Sequence, residues 1–171
     1  MTITVHQGEY FSICLDADGN EFVCTGEEVL AVPLTAAGEV LLTIEPSPAF
    51  GEPTLILPGG QTEPDEPQDE TANRELQEEI GYRAGRLEFL GELRPFSKYL
   101  TVRSFVYLAR DLMASRLKGD EGYEIGVEHV PFSNFEPLIV SGRLRDARVI
   151  AALYLARSLL ESESHRVGDE R

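Results

Sequence analysis

The chain has 171 residues, with 15 Lys or Arg against 30 Asp or Glu, 42% hydrophobic residues, two Cys and no Trp. That length suits one domain, which buries roughly 70% of the surface of its unfolded chain and needs neither disulfides nor a structural metal to hold a core. A net charge of −15 argues against DNA or RNA as a direct partner, because phosphate contacts need Lys and Arg in excess.

Turn signals divide the first sixty residues into short apolar runs, the pattern of consecutive antiparallel strands. Residues 10–15 and 21–24 flank Asp18-Gly19-Asn20 and read as a hairpin. Residues 28–34 and 40–44, joined by TAAGE, read as a second pair of buried strands. EPSPAFGEP then reads as loop, and residues 54–57 as a short strand leading into Pro58-Gly59-Gly60. Residues 67–80 switch to helical spacing and end before Gly81, a plausible C-terminal cap. Strand patterns return at 87–93, 102–109 and 125–130, with a Gly- and acid-rich loop over 112–126; a long loop in a compact domain is often functional. Val149, Leu153, Ala156 and Leu160 mark a helix over 146–160, and the tail from 161 to 171 is expected to fray. Strands and helices therefore interleave in one α/β domain.

Charge is unevenly spread. Residues 1–73 hold 14 acidic residues and no Lys or Arg, whereas 16 acidic and 15 basic residues follow. An anionic ligand must therefore be met by residues after Asn73 or by metal ions. MTITVHQGEY has neither a basic nor an apolar leader region, and no apolar run approaches the roughly eighteen residues of a membrane span. The expectation is a cytoplasmic protein without membrane or nucleic-acid partners, in which Cys14 and Cys24 are packed strand residues rather than a bridge. His6, His129 and His165 are scattered singly and read as non-ligands.

The chemistry concentrates in GQTEPDEPQDETANRELQEEIGY, residues 60–82. At helical spacing Glu75 and Glu79 lie one turn apart on one face, with Glu78 beside them. Clustered carboxylates repel one another; a hard divalent cation, held by carboxylates together with substrate phosphates, supplies a reason for the cluster. Ala72, Leu76 and Ile80 occupy the adjoining arc, which shelters the row. Arg74, one turn before Glu78, can orient that carboxylate, and Gly59 and Gly60 let a backbone carbonyl approach a metal.

Gly60, Glu66, Arg74-Glu75-Leu76, Glu78-Glu79 and Gly81-Tyr82 stand at the spacing of the Nudix box, so the chain resembles the Nudix hydrolases. Tyr82, in place of an aliphatic residue, and Asp65, in place of a second loop glycine, are departures that remove no carboxylate. Residues 70–112, LKGDE and GRLRDARVIAALYLAR are similar to the ADP-ribose pyrophosphatase branch, nearest to its bacterial ADP-compounds hydrolases. That branch's usual basic residue after the strand VLLTI is absent.

The resemblance implies an α/β/α sandwich around a mixed β-sheet, with an N-terminal antiparallel hairpin in residues 1–27, the box over 60–82 and one Nudix domain over 1–160. It implies hydrolysis of a pyrophosphate bond in ADP-linked compounds such as ADP-ribose, reduced NAD or diadenosine polyphosphates, with release of AMP. By resemblance, Glu75, Glu78, Glu79 and a carbonyl of Gly60 or Gly59 bind Mg2+ or Mn2+, which neutralises the pyrophosphate and acidifies the attacking water. Glu66 and Arg74 organise the box, and Glu78 and Glu79 count as catalytic. A general base is expected in the loop of Asp120, Glu121 and Glu124, with Glu121 ranked first and Glu124 second. Arg94, Lys98 and Arg103 are candidates for substrate phosphates, and Phe96 and Tyr99 for stacking on adenine or ribose. Pro95 lies near the branch's substrate-selecting proline. Tyr10 and Phe11 read as core or dimer contacts, and a homodimer is expected by resemblance. The alternatives are another nucleotide sugar, such as a GDP-sugar, as substrate, or a domain that senses a nucleotide without cleaving it.

Overall fold

A computed structural model describes residues 2–119 and 121–169. Ten strands are present: β1 (Ile3–Gln7), β2 (Ser12–Leu15), β3 (Glu21–Cys24), β4 (Glu27–Pro33), β5 (Glu39–Ser47), β6 (Glu52–Ile56), β7 (Gly59–Gln61), β8 (Tyr82–Leu93), β9 (Arg103–Ala114) and β10 (Gly126–Pro131). The helices are α1 (Gln68–Glu75), continued by a π-helical turn over Leu76–Ile80, a 3-10 turn at Phe132–Asn134, α2 (Glu136–Val140) and α3 (Ala147–Asp169). The strands form three sheets, ordered β1-β2-β3, β10-β5-β6 and β7-β4-β9-β8; the last is mixed, because β4 runs parallel to β9 and antiparallel to β7.

The apolar run of β4 is buried on both sides and serves two layers, in keeping with the expected α/β/α sandwich. Val29 and Ala31 face the box helix with Ala72, Leu76, Ile80 and Ala109. Val32 faces the other layer, where Val149, Leu153 and Ala156 of α3 close the main core with Val106, Leu108 and Phe135.

The expected β4–β5 hairpin does not form. After a single bridge at Leu34 and Val40 the strands part, and each becomes an inner strand of its own sheet. Runs as apolar as VLAVP and VLL need cover on both faces and edges, and inner positions supply it. EPSPAFGEP is mostly strand, with Pro46 opposite Pro53 and Ser47 opposite Glu52. Pro46 is tolerated because β10 pairs with β5 only as far as Ile44, so no partner needs its missing N–H.

The hairpin of β2 and β3 forms as expected, and β1, outside the strands expected from the sequence, adds an outer third strand. β8 begins at Tyr82 rather than 87, since charged residues alternate along it, and a bulge between Phe89 and Gly91 interrupts its ladder. β9 extends to Ala114, which shortens the following loop. Past 161, α3 runs on to Asp169, and Glu163 accepts hydrogen bonds from Arg110 on β9. Of that expected tail, Glu170 and Arg171 lie outside the described residues.

Candidate active site

Pro67 precedes α1, and Asp69 and Glu70 occupy its first turn, where acidic side chains suit the helix dipole. From Leu76 the helix widens into a π turn and stops at Gly81, whose φ of 75° is the left-handed cap that glycine provides. The wider turn, bonded i to i+5, brings a four-residue spacing closer to one full turn. Glu79 therefore stacks above Glu75, while Glu78 turns further from the pair.

A third carboxylate joins them across the fold. One ligand oxygen from each of Glu75, Glu79 and Glu121 lies within 4.8 Å of the other two. Glu78 stands outside this set and instead accepts from the Arg74 guanidinium at 3.1 Å. Arg74 also donates to Glu75 at 2.7 Å and to Glu66 at 2.9 and 3.1 Å, and reaches the Gln61 carbonyl. The expected organising role of Arg74 and Glu66 thus has a geometric basis: one guanidinium ties the loop, the helix and the carboxylates of Glu75 and Glu78 together, and it holds the Glu66 carboxyl down at about 2.

Gly60 abuts the Glu75 carboxylate closely enough that a Cβ would overlap it, and a Cβ on Gly59 would overlap the Val29 carbonyl. Both glycines are needed for close approach. The Gly59 N–H points at Glu79 Oε1 over 3.5 Å.

Burial dominates the electrostatics. Glu75 and Glu79 are 6% and 4% exposed. Desolvation pushes Glu75 up to about 7 against the pull of Arg74. It pushes Glu79 up to about 10, with the charges of Glu45 and Glu75 acting in the same direction. Glu79 Oε2 is buried without a hydrogen-bond partner, an arrangement that is costly for a bare carboxylate. An all-oxygen donor set with an orphaned buried oxygen fits a hard divalent cation, so Glu75, Glu79 and Glu121 could hold one.

A cavity of about 380 Å³ opens beside the cluster, lined by Glu78, Glu79, Arg116, Gly119, Glu121, Tyr123, Glu124 and Ile125. Both expected base candidates, Glu121 and Glu124, therefore reach the same space; Asp120 lies outside the described residues.

A model of the NUDIX domain matches residues 25–153. The chain belongs to the Nudix family. This Nudix chain is 33% identical over 104 residues to the ADP compounds hydrolase NudE of Escherichia coli (strain K12), a match that covers 61% of the chain and 56% of that relative. Its fold superposes on a crystal structure of an ADP compounds hydrolase with a TM-score of 0.82 at 26% identity, covering 95% of this chain and 93% of that one.

The remaining candidates in the Nudix chain cluster elsewhere, around the connection between β8 and β9. The Phe96 and Tyr99 rings pack at 5.1 Å with their planes tilted by 42°, and Lys98 lies over the Tyr99 ring at 5.2 Å. Lys98 and Tyr99 line a separate cavity against Asp16 and Phe22 of the N-terminal region. Arg94 and Arg103 are engaged by Glu92, and Arg103 also by Glu27. None of the five lines the carboxylate cavity. A third cavity is lined by Gln61 of the box and by Pro95 and Leu100 of the β8–β9 connection, with Thr25, Glu28 and Arg148. Tyr10 and Phe11 are 65% and 58% exposed, so the core half of their expected role does not hold in the single chain.

Glu45 and Tyr123, bonded to each other at 2.9 Å beside the cluster, are not among the residues expected from the sequence. In the sequence Glu45 reads as the first residue of the loop EPSPAFGEP and Tyr123 as one residue of the Gly- and acid-rich loop over 112–126. An acidic residue terminating a buried run, in a half with no basic residue to balance it, was the available signal.

Proposed function

We propose that this Nudix chain is a metal-dependent pyrophosphohydrolase of ADP-linked compounds, with ADP-ribose, reduced NAD and diadenosine polyphosphates as substrates and AMP as one product. The observation that carries this reading is the convergence of Glu75, Glu79 and Glu121 around a buried, unpartnered carboxylate oxygen at the mouth of a cavity. The likeness to an ADP compounds hydrolase, in sequence and in solved structure, supports the substrate class.

Glu75, Glu79 and Glu121 hold the cation, Mg2+ or Mn2+, with Gly60 packed against Glu75 and Glu78 kept in register by Arg74. The bound cation supplies charge neutralisation for the pyrophosphate and an acidified water. Glu121 has no hydrogen-bond donor among the described side chains, so its carboxylate also remains the first-ranked acceptor for the water proton, with Glu124 second. Arg94, Lys98 and Arg103, with Phe96 and Tyr99, form the substrate-facing rim. Gln61 of the box and Pro95 of the β8–β9 connection line one cavity between them.

Two unbridged thiols, Cys14 and Cys24, fit a reducing, cytoplasmic setting. Among the described residues no helix is long and apolar enough to cross a membrane.

The test is release of AMP from ADP-ribose, reduced NAD and a diadenosine polyphosphate, with Mg2+ or with EDTA. Metal-dependent AMP release is expected. Cleavage of a GDP-sugar alone moves the substrate class, and silence across a wide nucleotide panel overturns the enzyme reading in favour of a nucleotide sensor.

A further inference from the structure

We propose that Tyr123 is a positioning residue: its hydroxyl, bonded to Glu45, holds the Glu121 carboxylate against the Glu75–Glu79 pair. The inference rests on the hydrolase reading above for its consequence in turnover, but not for its geometry.

The segment between β9 and β10 is anchored at both roots. On the β9 side, Ser115 donates its N–H to the Gly81 carbonyl at 2.9 Å and Leu117 to that of Gln77 at 3.1 Å. The Ser115 hydroxyl donates to Gln77 Oε1 at 2.9 Å, and Arg116 donates to the Glu78 carbonyl. On the other side, Gly126 opens the β10 ladder opposite Ile44.

Between these roots, among the described residues of 118–125, one hydrogen bond reaches the rest of the fold: the Tyr123 hydroxyl donates to Glu45 Oε2 at 2.9 Å. Its acceptor is firmly placed. Glu45 lies on β5, the middle strand of its sheet, and its other oxygen accepts from the fully buried Thr43 hydroxyl at 2.7 Å.

Glu121, two residues from Tyr123, needs such a hold. It sits within 4.8 Å of two other carboxyl groups, a placement opposed by like charge wherever those groups are ionised, and no described side chain donates a hydrogen bond to it. Without the tether, no described side chain holds Glu121 back from swinging outward into the cavity that Tyr123 also lines. Tyrosine suits the task because it offers a neutral donor to Glu45 on a short, two-torsion side chain. A second cation there would compete with the metal.

Tyr123→Phe removes the hydroxyl and keeps the ring, which is half exposed. Three measurements read the result. Hydrogen exchange of residues 118–125 in the metal-free protein should quicken in the variant. Mn2+ affinity, followed by its spin-resonance signal, should weaken roughly tenfold, about what a hydrogen bond to a charged group contributes. The weakening should vanish when Tyr123→Phe is made in Glu121→Gln protein, because the tyrosine acts through Glu121. In AMP release, kcat should fall by a similar factor while KM stays within about twofold.

Unchanged exchange overturns the tether. An equal loss of Mn2+ affinity with and without Glu121 overturns its action through that residue. If wild-type protein cleaves no nucleotide, the hydrolase reading fails, and the exchange and Mn2+ measurements still decide the role of Tyr123.

Discussion

Glu79 illustrates how one side chain can be unfavourable for the bare fold and necessary for the site. Buried and pushed up to about 10, it is protonated at neutral pH when no cation is present. Glu75 is pushed up to about 7. For both groups the folded state holds a proton that the unfolded chain releases near the ordinary 4.5. Their contribution to stability is therefore complete below that value and is lost as pH rises, through about 7 for Glu75 and about 10 for Glu79. We expect the melting temperature of EDTA-treated protein to fall from pH 5 to pH 8, and Mg2+ to restore it by binding the folded state alone. Glu79→Gln imitates the protonated acid. It should leave the metal-free melting temperature near neutral pH almost unchanged, abolish most of the Mg2+ gain and lower turnover by orders of magnitude. A variant that gains as much from Mg2+ as wild type would remove Glu79 from the metal site.

The box element works because a loop and a helix approach more closely than side chains normally allow. Gly59 and Gly60, adjacent in β7, separate the two consequences of that approach. A methyl group at residue 60 meets the end of the Glu75 side chain, whereas at residue 59 it meets the backbone of β4. Gly60→Ala should therefore displace the Glu75 carboxylate, with a loss of Mn2+ affinity and turnover of tenfold or more and little change in melting temperature. Gly59→Ala should force strands apart and lower the melting temperature markedly, in the range of about 1–3 kcal/mol for overpacking. Calorimetry and metal titration on the pair distinguish the cases, and a reversed pattern would contradict this geometry. The same region marks a limit of helical spacing as a guide. A uniform 100° step groups Glu75, Glu78 and Glu79 on one arc, but the π turn over Leu76–Ile80 keeps Glu79 with Glu75 and hands Glu78 to Arg74.

Across the molecule, the sheet of β1, β2 and β3 stands apart from the two-layered core. It is joined by a bridge between Val23 and Leu100 and by bonds from Thr25 and Val23 to the 99–101 backbone and side chains. Every residue of β1 is exposed, and Ile3, Val5, Tyr10 and Phe11 present apolar surface around it. Exposed apolar groups gathered in one region form a surface that a second copy could cover, and we propose a homodimer formed through it. Sedimentation should return twice the chain mass, and a deletion of residues 1–9 should shift it to the monomer. A full-length chain that sediments as a monomer would set the dimer aside.

Local chemistry made much of this protein legible in one dimension. The carboxylate spacing, the Gly81 cap, the β2–β3 turn and the apolar phase of α3 each depend on neighbours within a few residues, and the acidic first half already implied that cations must assist any anionic ligand. The partners of long apolar strands were not legible, because VLAVP and VLL satisfy a hairpin locally while only competition among all strands sends β4 and β5 to different sheets. Nor was the third carboxylate: Glu121 meets Glu75 and Glu79, and Tyr123 meets Glu45, only because β9 and β10 fold their connecting loop back over the box. Contacts between residues dozens of positions apart follow from sheet order, and sheet order is a property of the packed whole.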